Sequence, residues 1–187
     1  NNIGWYRWTH DLVEVKGANA EDLLDYLYVN SIAGAAIGRS KYTTMLNEDG
    51  KIIDDVIVTH RGENLYWIST LYAPKLLPWI EKYADGKDVA CKNITYDVDM
   101  YAIQGPNSLK MMNTLLGTPI DDLGRFQMKD NTVGDIAVQV HRSGFTGELG
   151  YEIYCDIKDS KAIEEAIRTA AKECEATEMT ILEVYVR

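Results

Sequence analysis

The 187-residue chain has no run approaching the ~18 consecutive apolar residues of a membrane-spanning helix. It is also short of positive charge, with 19 Lys+Arg against 29 Asp+Glu and a net charge of −10. Nucleic-acid phosphates and anionic membrane surfaces are bound largely through Lys and Arg, so both partner classes are disfavoured. A small anionic ligand held by local contacts is not. Only three cysteines occur, Cys91, Cys155 and Cys174, and none forms a C-x-x-C pair. That excludes a zinc knuckle and a thioredoxin-type redox motif, and it reads as free thiols in a reducing cytoplasm. His10, His60 and His141 lack H-E-x-x-H spacing, so no metal site is expected. With 46% hydrophobic and 26% charged residues, the composition is neither that of a disordered chain nor that of a collagen or disulfide scaffold. The start, NNIGWYRWTH, has neither an initiator Met nor a basic-then-apolar leader pattern, and the final ILEVYVR reads as an element cut in its middle. The expectation is a piece of a longer protein.

What is present is a repeated pattern. Residues 12–17 alternate apolar and polar and end on Gly17, a strand followed by a stop. Residues 20–30 place Leu23, Leu24, Leu27 and Tyr28 on one helical face. Strands are expected at 41–49 and 52–60, separated by the turn residues Asp49-Gly50, and at 64–70. A helix opened by Pro74 near 74–84 and a strand at 88–96 follow. The pattern then restarts. Adding 88 to residue numbers aligns Gly17-Ala18-Asn19-Ala20 with Gly105-Pro106-Asn107-Ser108, and Leu23, Leu24, Leu27 and Tyr28 with Met111, Met112, Leu115 and Leu116. After a helix at 106–117, strands are expected near 125–129, 134–142 and 150–156, and a helix at 159–174. The predicted class is α+β: two duplicated β-α-β-β-β-α-β units with antiparallel sheets covered by helices. The first unit is expected at 12–97 and the second at 1–11 with 98–187.

Three strings could carry chemistry. Asp54-Asp55 interrupts an apolar strand, and alternation sends the two carboxylates to opposite faces, so one must point toward the core or a cleft. A carboxylate in a dry place has to be paired or belong to a site; a solvent-facing pair just past a hairpin is the ordinary alternative. In Ser143-Gly144-Phe145-Thr146-Gly147-Glu148-Leu149-Gly150-Tyr151-Glu152, three glycines imply positive φ or close approach to something. The string lacks the G-K-[ST] of a phosphate loop, and its acidic residues suit a ligand that presents N–H donors. A glycine-rich hairpin turn explains the glycines equally well. Trp5, Tyr6 and Trp8, with Tyr42, could wall a small-molecule pocket or simply pack a core.

Taken together, these strings resemble the aminomethyltransferase (T-protein) family of the glycine cleavage system and its tetrahydrofolate-using relatives. The matching pieces run in family order: Thr9-His10, Val15-Lys16-Gly17, Asn30, Ser40-Lys41-Tyr42-Thr43, Met45-Leu46-Asn47, Gly50 to Val56, Gln104-Gly105-Pro106, Gly144-Phe145-Thr146-Gly147-Glu148 and Gly150-Tyr151-Glu152. The resemblance implies the folate-binding part of a protein about twice this length, without its carboxy-terminal β-barrel, and tetrahydrofolate in a hole between domains. It implies that Asp55 is the catalytic carboxylate beside the folate nitrogens and that Glu152 anchors the pterin. It places Tyr42, Thr70, Phe145 and Tyr151 among the cofactor-binding residues and asks for no metal.

The implied activity moves an aminomethyl or methyl unit from a small donor, or from a lipoyl carrier protein, to tetrahydrofolate. The chain departs from the family strings at several points: Thr70 where the family has Asn, Phe145 for Tyr, Lys51 for Gly, Arg7 for Asp, and Thr177-Glu178 near a folate-contacting Arg-Asp. These departures leave a relative with another methyl donor as open as the aminomethyl-lipoyl enzyme itself. A folate-binding regulator without turnover, and a ligand-free α+β interaction module, are the readings from other classes.

Overall fold

The computed structural model describes residues 2–8 and 10–180; Asn1, Thr9 and the terminal ILEVYVR segment lie outside the described residues. In chain order the elements are β1 (Gly4–Arg7), β2 (Asp11–Lys16), α1 (Ala20–Leu27), β3 (Ser40–Leu46), β4 (Ile52–Gly62), β5 (Leu65–Thr70), α2 (Ala73–Ala84) and β6 (Ala90–Asn93). They continue with β7 (Val98–Gln104), α3 (Ser108–Leu115), β8 (Met128–Val133), β9 (Ile136–His141), β10 (Gly150–Asp156), α4 (Ser160–Glu173) and the short β11 (Thr177–Glu178). No helix among the described residues is long and apolar enough to cross a membrane.

The chain divides into two compact units, His10–Tyr96 and Asn1–Thr9 with Asp97–Arg187. In the first, five strands lie in the order β3-β4-β5-β2-β6, every neighbouring pair antiparallel. One face carries Val13, Val15, Val56, Val58 and Ile68, packed with Leu23 and Leu24 of α1 and Leu76 and Ile80 of α2. In the second unit the order is β11-β1-β7-β10-β9-β8, antiparallel except for β1 beside β11. Tyr101, Ile103, Val138, Val140 and Ile153 pack there with Met111 and Met112 of α3 and Ile163 and Ile167 of α4. Apolar side chains removed from water in this way supply the main favourable term in folding.

The expected β-α-β-β-β-α-β order is present in each unit, and the α+β class holds. The 88-residue offset is visible in the backbone. Asn19 and Asn107, each just ahead of its helix, share φ of −100° and −101° with the same ψ of 12°. Gly17 and Gly105 both have positive φ, 142° and 122°, where a Cβ would meet the carbonyl oxygens of Asp88 and Asn2.

Several expected boundaries move, two of them for a visible local reason. The strand expected near 125–129 is β8, Met128–Val133, because Gly134 at φ 57° turns the hairpin directly after it. The helix expected over 20–30 stops at Leu27. Tyr28 goes into an isolated bridge with Met45, and Asp25 Oδ1 accepts from the Ser31 hydroxyl and the amides of Ile32 and Ala33, turning the chain away. The aromatic run Gly4–Arg7 is itself a strand and lies between β11 and β7.

Candidate functional site

Strand β4 separates the two adjacent carboxylates by face. Asp54 points to the helix-covered side with Val56 and Val58; Asp55 lies on the opposite side, across from Thr44 and next to the Tyr42–Ile57 pair. The inward carboxylate is satisfied locally. Asp54 accepts the Thr70 hydroxyl on Oδ2 and the Asp55 amide on Oδ1 at 2.9 Å. Thr70, only 2% exposed, also accepts the Tyr72 amide, so the structure ties this expected cofactor residue to Asp54 and not to Asp55. Asp55 is exposed, and its Oδ2 accepts the Tyr42 hydroxyl at 2.7 Å. That hydrogen bond, followed by the Asp55 charge, raises the Tyr42 pKa, because ionising the phenol would set two negative charges side by side. Tyr42 therefore remains a donor at neutral pH. The argument from dryness alone selects Asp54; the family string selects Asp55, and the geometry leaves Asp55 with the accessible oxygens.

In the other unit, β10 and β9 bring Glu152 opposite His141. Both are buried, at 6% and 1% exposure. His141 Nδ1 lies 3.1 Å from Glu152 Oε2, and the Tyr154 hydroxyl donates to the same oxygen at 2.9 Å. Burial, then the Glu152 charge and hydrogen bond, hold the Tyr154 pKa well above that of a free phenol, so this donor is permanent. His141 Nε2 is buried with no hydrogen-bond partner among the described residues.

Period two places the expected site residue Tyr151 on the reverse face of β10. It is 2% exposed there and packs in the core with Ile153 and Ile163, apart from Glu152. Phe145 is 52% exposed on the loop before β10, with the Trp8 ring edge-on at 5.0 Å. Trp5 belongs to the core, with the Arg168 guanidinium over its ring, so the aromatic string is divided between packing and this contact.

The glycine-rich loop owes its composition to a neighbour within the same unit. Gln104, 4% exposed, donates from Nε2 to the carbonyls of Ser143 and Tyr151 and accepts the Thr146 hydroxyl. A Cβ at Gly144 or Gly150 would stand 2.2 or 2.1 Å from Gln104 Oε1. The loop has to be bare of side chains where it wraps this amide. Glu148 lines an open cavity of about 350 Å³ beside Arg125, Arg142 and the loop backbone. Among the described residues no group of three or more His, Cys, Asp or Glu could hold a metal ion.

Two members of the site were missed from sequence. His141 is a lone histidine and carries no spacing signal; only the β9–β10 register shows that it faces Glu152. Tyr154, two residues beyond Glu152 on one strand, could have been found by alternation alone.

Each of the two units thus holds a carboxylate that accepts a tyrosine hydroxyl, Asp55 from Tyr42 and Glu152 from Tyr154. The family model described as the GCVT N-terminal domain matches residues 9–181, and the chain belongs to that family. It is similar to the aminomethyltransferase of Halalkalibacterium halodurans, 33% identical over 165 residues that cover 86% of this chain and 45% of that protein. The aminomethyltransferase of Staphylococcus haemolyticus is 30% identical over 151 residues, 79% of this chain and 42% of its own length. The chain thus spans under half the length of these curated relatives. Among solved structures, the glycine cleavage system aminomethyltransferase T of Bartonella henselae superposes with a TM-score of 0.85 at 25% identity, covering 98% of this chain and 49% of that one. A chain of heterotetrameric sarcosine oxidase from Corynebacterium sp. U-96 shares the fold at 13% identity and a TM-score of 0.73, covering 95% of this chain and 88% of that one.

Proposed function

We propose that this chain is the tetrahydrofolate-binding region of a one-carbon transferase of the aminomethyltransferase type, which moves an aminomethyl or methyl unit from a donor to tetrahydrofolate. The observation that carries the reading is Asp55: an accessible carboxylate, oriented by the Tyr42 hydroxyl, within a domain of this family. The residues fit such a ligand. Glu152 is a buried carboxylate whose oxygen already accepts a hydroxyl and lies beside a ring nitrogen, and carboxylates pair well with the N–H donors that an aminopyrimidinone edge offers in pairs.

When bound, tetrahydrofolate supplies the amine nitrogen that takes the one-carbon unit. Asp55 stabilises the positive charge that develops on an amine beside it, or accepts its proton, and such placed charge is effective because it needs no reorganisation. Tyr42 fixes the rotamer of that carboxylate. Glu152 orients the ligand, and orientation alone lowers a barrier by up to about 7–11 kcal/mol in favourable cases. The donor is either a small methylated molecule or an aminomethyl group on a lipoyl carrier protein, and a screen of methylated amines, ethers and sulfonium compounds against the lipoyl carrier separates the two.

The test of the assignment is Asp55→Asn in the full-length protein. Transfer to tetrahydrofolate falls by about 10²–10⁴-fold, the size of a general acid–base contribution, with the melting temperature unchanged. Near-normal transfer in that variant refutes the assignment. Tetrahydrofolate binding with no turnover on any donor supports a regulator instead, and no folate-dependent rise in melting temperature refutes the ligand.

A further inference from the structure

We infer that His141 is a positioning residue for Glu152, held as the Nδ1–H tautomer, so that the carboxylate is presented to its ligand as an acceptor. The inference rests on the folate reading above and extends it to a residue outside the family strings. Three observations carry it. Glu152 Oε2 receives the Tyr154 hydroxyl, so that oxygen is an acceptor, and the histidine nitrogen 3.1 Å away has to be the donor. The ring is 1% exposed, and its other nitrogen meets no hydrogen-bond partner among the described residues. A proton there would bury an unsatisfied donor, the costlier arrangement. On the far side, the register sets His141 against Met128 of β8, whose thioether is at best a weak acceptor and cannot donate to the bare nitrogen.

Tyr154 from one side and His141 from the other thus hold one oxygen of Glu152 and fix the orientation of the carboxylate. The ligand edge recognised here is rich in N–H and poor in carbonyl oxygen. A carbonyl brought to the same place would face an acceptor.

The test has one arm without folate and one with it. In the ligand-free full-length protein, nitrogen-15 correlation spectra of the histidine rings, assigned by loss of the signal in His141→Leu or His141→Asn, show the Nδ1–H tautomer for His141. An Nε2–H tautomer overturns the inference. In calorimetry with tetrahydrofolate, His141→Leu weakens binding at least tenfold, whereas His141→Asn, whose amide nitrogen can take the place of Nδ1, stays within about threefold of the parent. The double variant Glu152→Gln/His141→Leu loses no more than Glu152→Gln alone, because His141 acts through Glu152. Binding weakened by Glu152→Gln but untouched by His141→Leu overturns the inference and leaves the folate reading intact. Absence of binding in the parent protein overturns both. If His141→Leu does not fold, the Asn variant and the tautomer decide the matter.

Discussion

Replacing Glu152 separates what its carboxylate does for the fold from what it does for a ligand. In Glu152→Ala, the Nδ1–H of His141 and the hydroxyl of Tyr154 lose the oxygen they share, and both residues are buried. A buried donor left unsatisfied costs about 1–3 kcal/mol, so two cost roughly 2–4 kcal/mol if water reaches one of them in part. A domain of this size is stable by about 5–15 kcal/mol, so the loss is large but not fatal. In Glu152→Gln the amide oxygen can take over both bonds, and the expected cost is about 1 kcal/mol or less. Amide hydrogen exchange at β9 and β10 under urea measures the difference within this unit, which matters because two units need not unfold as one. Ala and Gln variants of equal stability, within about 0.5 kcal/mol, would refute the bonding scheme around Glu152, including the role given to His141.

The remaining predictions concern the frame of the site. Asp25 has a pKa below its ordinary 3.8, caused first by the Ala33 amide and then by Ser31 and Ile32. A carboxyl depressed on folding stabilises the fold above its unfolded pKa, and that contribution fades as pH falls below about 4. Asp25→Asn should therefore flatten the acid limb of the stability profile, and Asp25→Ala should cost about 1 kcal/mol at neutral pH, read by urea titration. Gly17→Ala and Gly105→Ala each place a Cβ within 2.1 or 2.4 Å of a backbone oxygen at positive φ; each should destabilise its own unit by more than about 1 kcal/mol in hydrogen exchange, with little effect on the other. Burial pushes the Cys155 thiol up to about 12, so it should resist alkylation at neutral pH until denaturant is added, and rapid labelling of the native protein would contradict its place in the core.

Much of the fold was legible because its determinants are local. Alternation along Asp11–Lys16, the helical face of Leu23, Leu24 and Leu27, and the turn at Gly50 each follow from a few neighbouring residues. The repeat was legible for a stronger reason, since Gly17 and Gly105 meet one steric requirement twice. The misplaced strand at β8 shows where local reasoning stops. Lys129, Asp130 and Asn131 are exposed or half-buried, and the two buried residues, Met128 and Val133, lie on opposite faces, so the segment shows no apolar alternation.

The candidate site divides in the same way. That one of Asp54 and Asp55 must point inward follows from the period of a strand and was readable from sequence. Which of them faces the helices, and that Thr70 is there to receive it, depends on strand register. The glycines of the 143–150 loop announced a close approach without revealing that the thing approached is Gln104, some forty positions earlier.

By itself, the sequence determined the α+β class, the duplication, and the strings that carry the family resemblance, all of which reside in period and order along the chain. Only the tertiary structure decided that Tyr42 meets Asp55, that Tyr151 turns its back on Glu152, and that His141 stands beside it. Those are contacts across 11 or more positions or between faces of a sheet, and pairing register, which no short window of sequence encodes, sets them.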